Sequence, residues 1–154
     1  RFPRRTGTRV LTLGNAGGRL KASTGYALVR IHDFDSESPP ILLGFGELDG
    51  VTKIGVNYGV ATGREQEVIV DYPLGVWHRW TLHLRWSLGD DGFGEFSLDG
   101  EPVASFTGPN LHNAAGNYLK LGLYRDPAIR TDNVVLIDDL AVGSSEGDVV
   151  ALAR

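Results

Sequence analysis

The chain contains no cysteine and no methionine. The first absence excludes disulfide scaffolds, thiolate metal sites and cysteine nucleophiles, so any chemistry rests on His, Tyr, Arg, Lys and carboxylates. It does not choose a compartment, because a thiol-free chain suits an extracellular protein and a cytosolic one alike. With no initiator Met, the chain is expected to be processed or trimmed, and no basic start, apolar run and small-residue cleavage site marks a signal peptide. No apolar stretch approaches the roughly 18 residues a membrane span needs. Positive charge is not in excess either: 15 Lys and Arg stand against 19 Asp and Glu, a formal net charge of −4. That argues against a nucleic-acid binder held by its overall field, and any basic site must be local.

Helical patterning is nearly absent as well. What is present is 154 residues, 42% hydrophobic, with 21 Gly and 7 Pro, which is the make-up of one globular domain (1–154) with a core of useful size. Apolar residues alternate with polar ones over short runs. The runs are Gly25 to His32, Ile41 to Phe45, Val51 to Tyr58, Glu67 to Asp71, Trp77 to Trp86, Gly94 to Asp99, Pro102 to Phe106, Tyr118 to Tyr124 and Val134 to Val142. Asp49-Gly50 and Asp99-Gly100 are tight hairpin turns, since both residue types accept a positive φ. Asp90-Asp91-Gly92 is a third turn, and Thr107 to Asn117 a longer connection. The tail from Gly143 ends in Val149-Val150-Ala151-Leu152, expected to be either a last strand or a frayed end. The string predicts an all-β sandwich or barrel of antiparallel strands.

Two of these strands have polar faces of interest. In Tyr118-Leu119-Lys120-Leu121-Gly122-Leu123-Tyr124, a period of two sends the three Leu to the core and presents two phenols and an ammonium together, with Gly122 leaving the backbone open. In Ala27-Leu28-Val29-Arg30-Ile31-His32, the core face is Ala27, Val29 and Ile31, and the opposite face is Leu28, Arg30 and His32. If both strands share one sheet, these faces share one concavity.

The stretch Trp77-His78-Arg79-Trp80-Thr81-Leu82-His83-Leu84-Arg85-Trp86-Ser87, then Leu98-Asp99-Gly100 and Tyr118 to Arg125, resembles the C-terminal half of polysaccharide lyases of the heparin-lyase and glucuronan-lyase type, whose jelly roll alginate lyases share. Val29-Arg30-Ile31-His32 resembles that group's Gln-x-His strand, with Arg30 where Gln is usual. The resemblance covers about residues 26 to 143 and implies a concanavalin-like β-jelly-roll sandwich of two antiparallel sheets. It also implies β-elimination on an anionic, uronate-containing polysaccharide, which needs a cation or amide at the C5 carboxylate, a base for the C5 proton and an acid for the leaving O4. By resemblance, His32 and either Tyr118 or Tyr124 supply base and acid, and Arg30 faces a carboxylate. The other Tyr, Lys120, Arg9 and Arg125 bind substrate, with Trp77 free to stack on a sugar ring. An N-terminal Arg-bearing segment belongs to the family's pattern, and Arg9 in Thr8-Arg9-Val10 stands nearest that place.

Other polar clusters read as structural. His83 and Arg85 are expected on the solvated face of the outer sheet, while Trp80 and Trp86 share the phase of Leu82 and Leu84 and fill the core. Asp33-Phe34-Asp35-Ser36-Glu37 could ligate calcium but lacks the full loop pattern, so a solvated loop beside the cleft is expected. Asp138-Asp139 looks like part of a closing strand, and Gly14-Asn15-Ala16-Gly17-Gly18 is a loop with no helix after it to make a phosphate site. The expected protein is therefore a secreted, extracellular or periplasmic lyase. It needs no organic cofactor or metal, and calcium is at most structural. The alternative is a non-catalytic carbohydrate-binding or surface-assembly domain on the same sandwich.

Overall fold

Alternating apolar and polar residues build ten strands and one short helix in the computed structural model, which describes residues 8–13, 26–36, 38–60, 66–124 and 134–150. The strands are β1 (Thr8–Leu13), β2 (Tyr26–Asp33), β3 (Ile41–Leu48), β4 (Val51–Tyr58), β5 (Gln66–Asp71), β6 (Trp80–Arg85), β7 (Phe93–Leu98), β8 (Glu101–Thr107), β9 (Asn117–Tyr124) and β10 (Leu140–Gly143), followed by α1 (Glu146–Val150). They form two five-stranded antiparallel sheets, ordered β10-β1-β6-β7-β8 and β5-β4-β3-β2-β9. Because β9 returns beside β2, and β1 lies between β10 and β6, chain-distant strands close both sheets as in a jelly roll.

The core lies between the sheets. Val29, Ile31, Ile41, Leu43, Ile54 and Val56 come from one, and Trp80, Leu82, Leu84, Phe96 and Phe106 from the other. Each set occupies alternate positions of its strand, so the intervening residues face outward. Tyr58 joins the layers: its ring stacks on Phe106, and its hydroxyl donates to the Gly108 carbonyl at 2.8 Å. Gly94 lies directly beneath it, where an added Cβ would stand 2.8 Å from Tyr58 Cε2 and 2.9 Å from Phe96 Cε2. Only glycine fits that crossing. Asp49-Gly50 and Asp99-Gly100 have positive φ at both residues, as their hairpins require.

Several expectations change. β1 is a strand that the runs omit, and it completes the sheet of β6. The last run shortens to Leu140–Gly143, with Asp139 at φ 52 breaking the extended backbone before it. Instead of a strand or frayed end, the tail opens with α1, whose Val149 packs against Ala141. Leu28 is buried, not outward-facing, because an irregularity between Ala27 and Val29 breaks the alternation. The expected loop at 14–18 lies outside the described residues.

Candidate functional site

β2 and β9 are neighbours, in a register that places Arg30 opposite Lys120 and His32 opposite Tyr118. Leu119, Leu121 and Leu123 pack against the core, so Tyr118, Lys120 and Tyr124 share the outward face with Arg30 and His32. The irregularity at Leu28 tightens this group. Ala27 opposes Tyr124 while Val29 opposes Leu121, so Leu28 faces two residues of β9, one of them Gly122 at φ 123. In an uninterrupted ladder Tyr124 would oppose Tyr26. The bulge draws it one position nearer Arg30, whose Cζ lies 4.1 Å from the Tyr124 ring centroid. Gly122 therefore serves the bulge, since its φ belongs to the region glycine prefers.

The imidazole of His32 stacks on Tyr118 at 5.5 Å, Phe34 lies 5.2 Å from the same phenol, and Lys120 Nζ lies 5.2 Å from its centroid. His32 is 3% exposed, and its Nε2 has no hydrogen-bond partner among the described residues. Burial lowers its pKa below the usual 6.5, Arg30 and then Lys120 lower it further, and a hydrogen bond with the Ser36 backbone opposes them. The ring is thus held neutral near pH 7 with a basic nitrogen unengaged. Neither Arg30 nor Lys120 is paired with a carboxylate of the described residues.

The end of β2 is anchored from the adjoining loop. Asp33 is fully buried rather than solvated, and its Oδ2 accepts from the backbone N–H of His112. Burial raises the Asp33 pKa, while the amides of His112 and Asn113 oppose it. Phe34 N donates to Gly116 O at 2.9 Å, and Asn113 Nδ2 donates to Phe34 O at 2.7 Å. These bonds tie the loop to the strand that carries His32. Among the described residues no three acidic or histidine side chains gather as a metal site.

A cleft of about 640 Å³ crosses the outward face of this sheet, with Arg30 and Tyr124 at one side and Leu42, Gly44, Lys53, Gly55, Asn57, Glu67 and Ile69 beyond them. Tyr124 is 64% exposed at its rim. Of the residues singled out in the sequence, Arg30, His32, Tyr118, Lys120 and Tyr124 come together. Arg9 stands in β1 of the opposite sheet, in register with Leu84; Trp77 is exposed in the turn between β5 and β6, away from the cleft lining; Arg125 lies outside the described residues. Sequence reasoning missed Lys53, Asn57 and Glu67, although Lys53-Ile54-Gly55-Val56-Asn57 displays the same alternation that exposed the other two strands.

Fold and cleft together define a concanavalin-like sandwich whose outward groove carries Arg30 and the Tyr124 phenol at one side and Lys53 and Glu67 at the other. Residues 17–141 match the polysaccharide lyase family, and the chain belongs to that family, which implies a carbon–oxygen lyase. No curated protein sequence matches it. Among solved structures, it is similar to an endo-β-1,4-glucuronan lyase from the fungus Trichoderma reesei, with TM-score 0.70 and 15% identity over 97% of this chain and 73% of that one. An alginate lyase from Pseudomonas aeruginosa is similar at TM-score 0.61 and 18% identity, over 91% and 66% of the two chains. A heptameric SAP-like pentraxin from Limulus polyphemus is similar at TM-score 0.52 and 13% identity, over 99% and 76%. At such identities the likeness is one of fold, and the pentraxin match shows why function must be argued from the site.

Proposed function

We propose that the protein is a secreted lyase that cleaves a uronate-containing polysaccharide by β-elimination. The observation that carries this reading is the in-register meeting of Arg30, Lys120, His32 and Tyr118, with Tyr124 drawn over Arg30. Arg30 and Lys120 face the substrate carboxylate and stabilise the enolate that develops as the C5 proton leaves. Neutral His32 takes that proton. The C4–O4 bond breaks as the C4=C5 double bond forms, and the departing O4 receives a proton from a phenol. Tyr124 is assigned that role over Tyr118, because Tyr124 stands open at the cleft while Tyr118 is packed between His32 and Phe34. Substrate binding must displace a covering side chain to expose His32 Nε2. An extracellular or secreted location is part of the same proposal, since a polymeric substrate meets the enzyme there.

The enclosure of His32 favours a second reading, a carbohydrate-binding domain that keeps the groove without turnover. The ultraviolet absorbance of the unsaturated uronate, followed on a panel of anionic polysaccharides, separates them. A rise lost in His32→Ala and Tyr124→Phe supports the lyase. No rise on any polymer, with calorimetric binding retained, supports the binding domain.

A further inference from the structure

The cleft changes character from one side to the other. Lys120, Arg30, Leu42, Asn57 and Glu67 form one transverse row, a residue from each strand of the sheet. Beside it run Gly44, Gly55 and Ile69, and beyond them Gly46, Lys53 and Asp71. At the β2–β9 side stand two cations, Arg30 and Lys120, without carboxylate partners among the described residues. On the β4–β5 side stand Glu67 and Asp71, and Lys53, the one cation there among the described residues, is held in an ion pair by Asp71. The midline is floored by backbone: a Cβ placed on Gly55 would stand 3.0 Å from Glu67 Oε1 and 3.6 Å from Asn57 Nδ2, so acceptor and amide converge above a glycine trough. Leu42 and exposed Ile69 flank it with apolar surface.

Three strand spacings, about 14 Å, separate β2 from β5, which leaves room for sugar beyond the residue held at Arg30. A second uronate there would set its carboxylate against Glu67 with no free cation among the described residues to offset the repulsion. An uncharged sugar meets the opposite conditions. Its hydroxyls donate to the Glu67 carboxylate and accept from the Asn57 side-chain amide, and its C–H face lies on Gly55 and Ile69. We therefore propose, building on the uronate-lyase reading, that the β3–β5 half of the cleft is a subsite for a neutral sugar, and that the substrate is a heteropolymer in which a uronate borders an uncharged residue.

The test measures unsaturated-product formation on polyglucuronate, on alginate and on an unsulphated alternating copolymer of glucuronate and N-acetylhexosamine, for the wild-type chain and Glu67→Gln. The expected result is a preference for the copolymer of about tenfold or more in kcat/KM, the worth of one charged hydrogen bond made or one repulsion avoided, and a smaller preference in Glu67→Gln. Equal or better cleavage of the two all-uronate polymers, with a ratio unmoved by Glu67→Gln, overturns the neutral subsite and leaves the lyase reading standing. Absence of product on all three polymers defeats the lyase reading instead. Calorimetric affinities for the same polymers then decide the subsite: copolymer preference that Glu67→Gln reduces supports it, and equal affinities or no binding overturn it.

Discussion

Two strands in opposite sheets carry nearly the same outward residues in reverse order, Arg30-Ile31-His32 in β2 and His83-Leu84-Arg85 in β6. In β6 each cation-forming group faces a carboxylate: His83 Nδ1 lies 2.6 Å from Glu95 Oε2 across the ladder, and Arg85 donates to Asp91 at 2.8 Å. Side-chain exposures of 36% and 51% leave both pairs largely in solvent, where such pairs contribute little. In β2 the neighbouring strand supplies Lys120 and Tyr118 instead, and burial takes His32 out of water. One arrangement is a neutralised surface. The other gathers Arg30 and Lys120, unpaired among the described residues, around a neutral base, which suits the approaching carboxylate of the proposed substrate. Cross-strand partners, more than residue type, make the difference.

The sharpest way to break this comparison is to delete the imidazoles. His32→Ala and Tyr124→Phe are each expected to lower kcat by about 100-fold to 10,000-fold, the usual worth of an acid or base, while His83→Ala changes it less than about twofold. Initial rates of unsaturated-product formation check this, and an equal loss in His83→Ala would end the assignment. Next in size is a transplanted carboxylate. Leu42 stands opposite Arg30, so Leu42→Glu gives Arg30 the kind of partner that Arg85 already has, and polyanion affinity is expected to fall about tenfold in calorimetry.

Two glycines sharpen the same contrast through stability. Gly94→Ala crowds Tyr58 and Phe96 and is expected to cost about 1–3 kcal/mol in denaturant unfolding, with kcat little changed in the protein that remains folded. Gly122→Ala places a side chain at φ 123 for a similar cost of about 1–3 kcal/mol, but it also loosens the bulge that positions Tyr124, so kcat falls as well. Comparison of unfolding midpoints with rates separates the two.

The smallest effect is on pH dependence. The folded-state pKa of His32 lies below 6.5, so its contribution to stability is present above 6.5 and is lost as pH falls through the window between 6.5 and that lowered value. Asp33 has the opposite sign: its raised pKa keeps a proton on the folded form, so its contribution grows as pH falls through the raised value toward 3.8. A thermal melt series of wild type against His32→Gln isolates the first term. The acid limb of kcat/KM is likewise expected below 6.5, and Arg30→Gln moves it upward by removing a cation beside the ring.

Much of this was legible in the chain. Alternation in Tyr118–Tyr124 identified the outward phenols and Lys120, and two Asp-Gly pairs marked hairpins that the backbone adopts. The family resemblance correctly implied the jelly roll. Alternation puts Leu28 outward because it assumes an unbroken pleat, and a bulge is a property of the ladder with β3 and β9. The sequence around Asp33 predicts a solvated carboxylate, because its charge says nothing of the loop amide at His112 that donates to it. The acidic half of the cleft was overlooked because Lys53, Asn57 and Glu67 are ordinary surface residues until three strands place them in a row.

By itself, then, the sequence determined the strand class, the inward and outward faces of most strands and the absence of thiol chemistry, since period and composition are local quantities. Only the tertiary structure decided that β9 lies beside β2, that Tyr124 leans over Arg30 and that His32 is dry while His83 is wet. Those outcomes depend on which strands pair and in what register, and the free energy of pairing is shared among residues far apart in the chain.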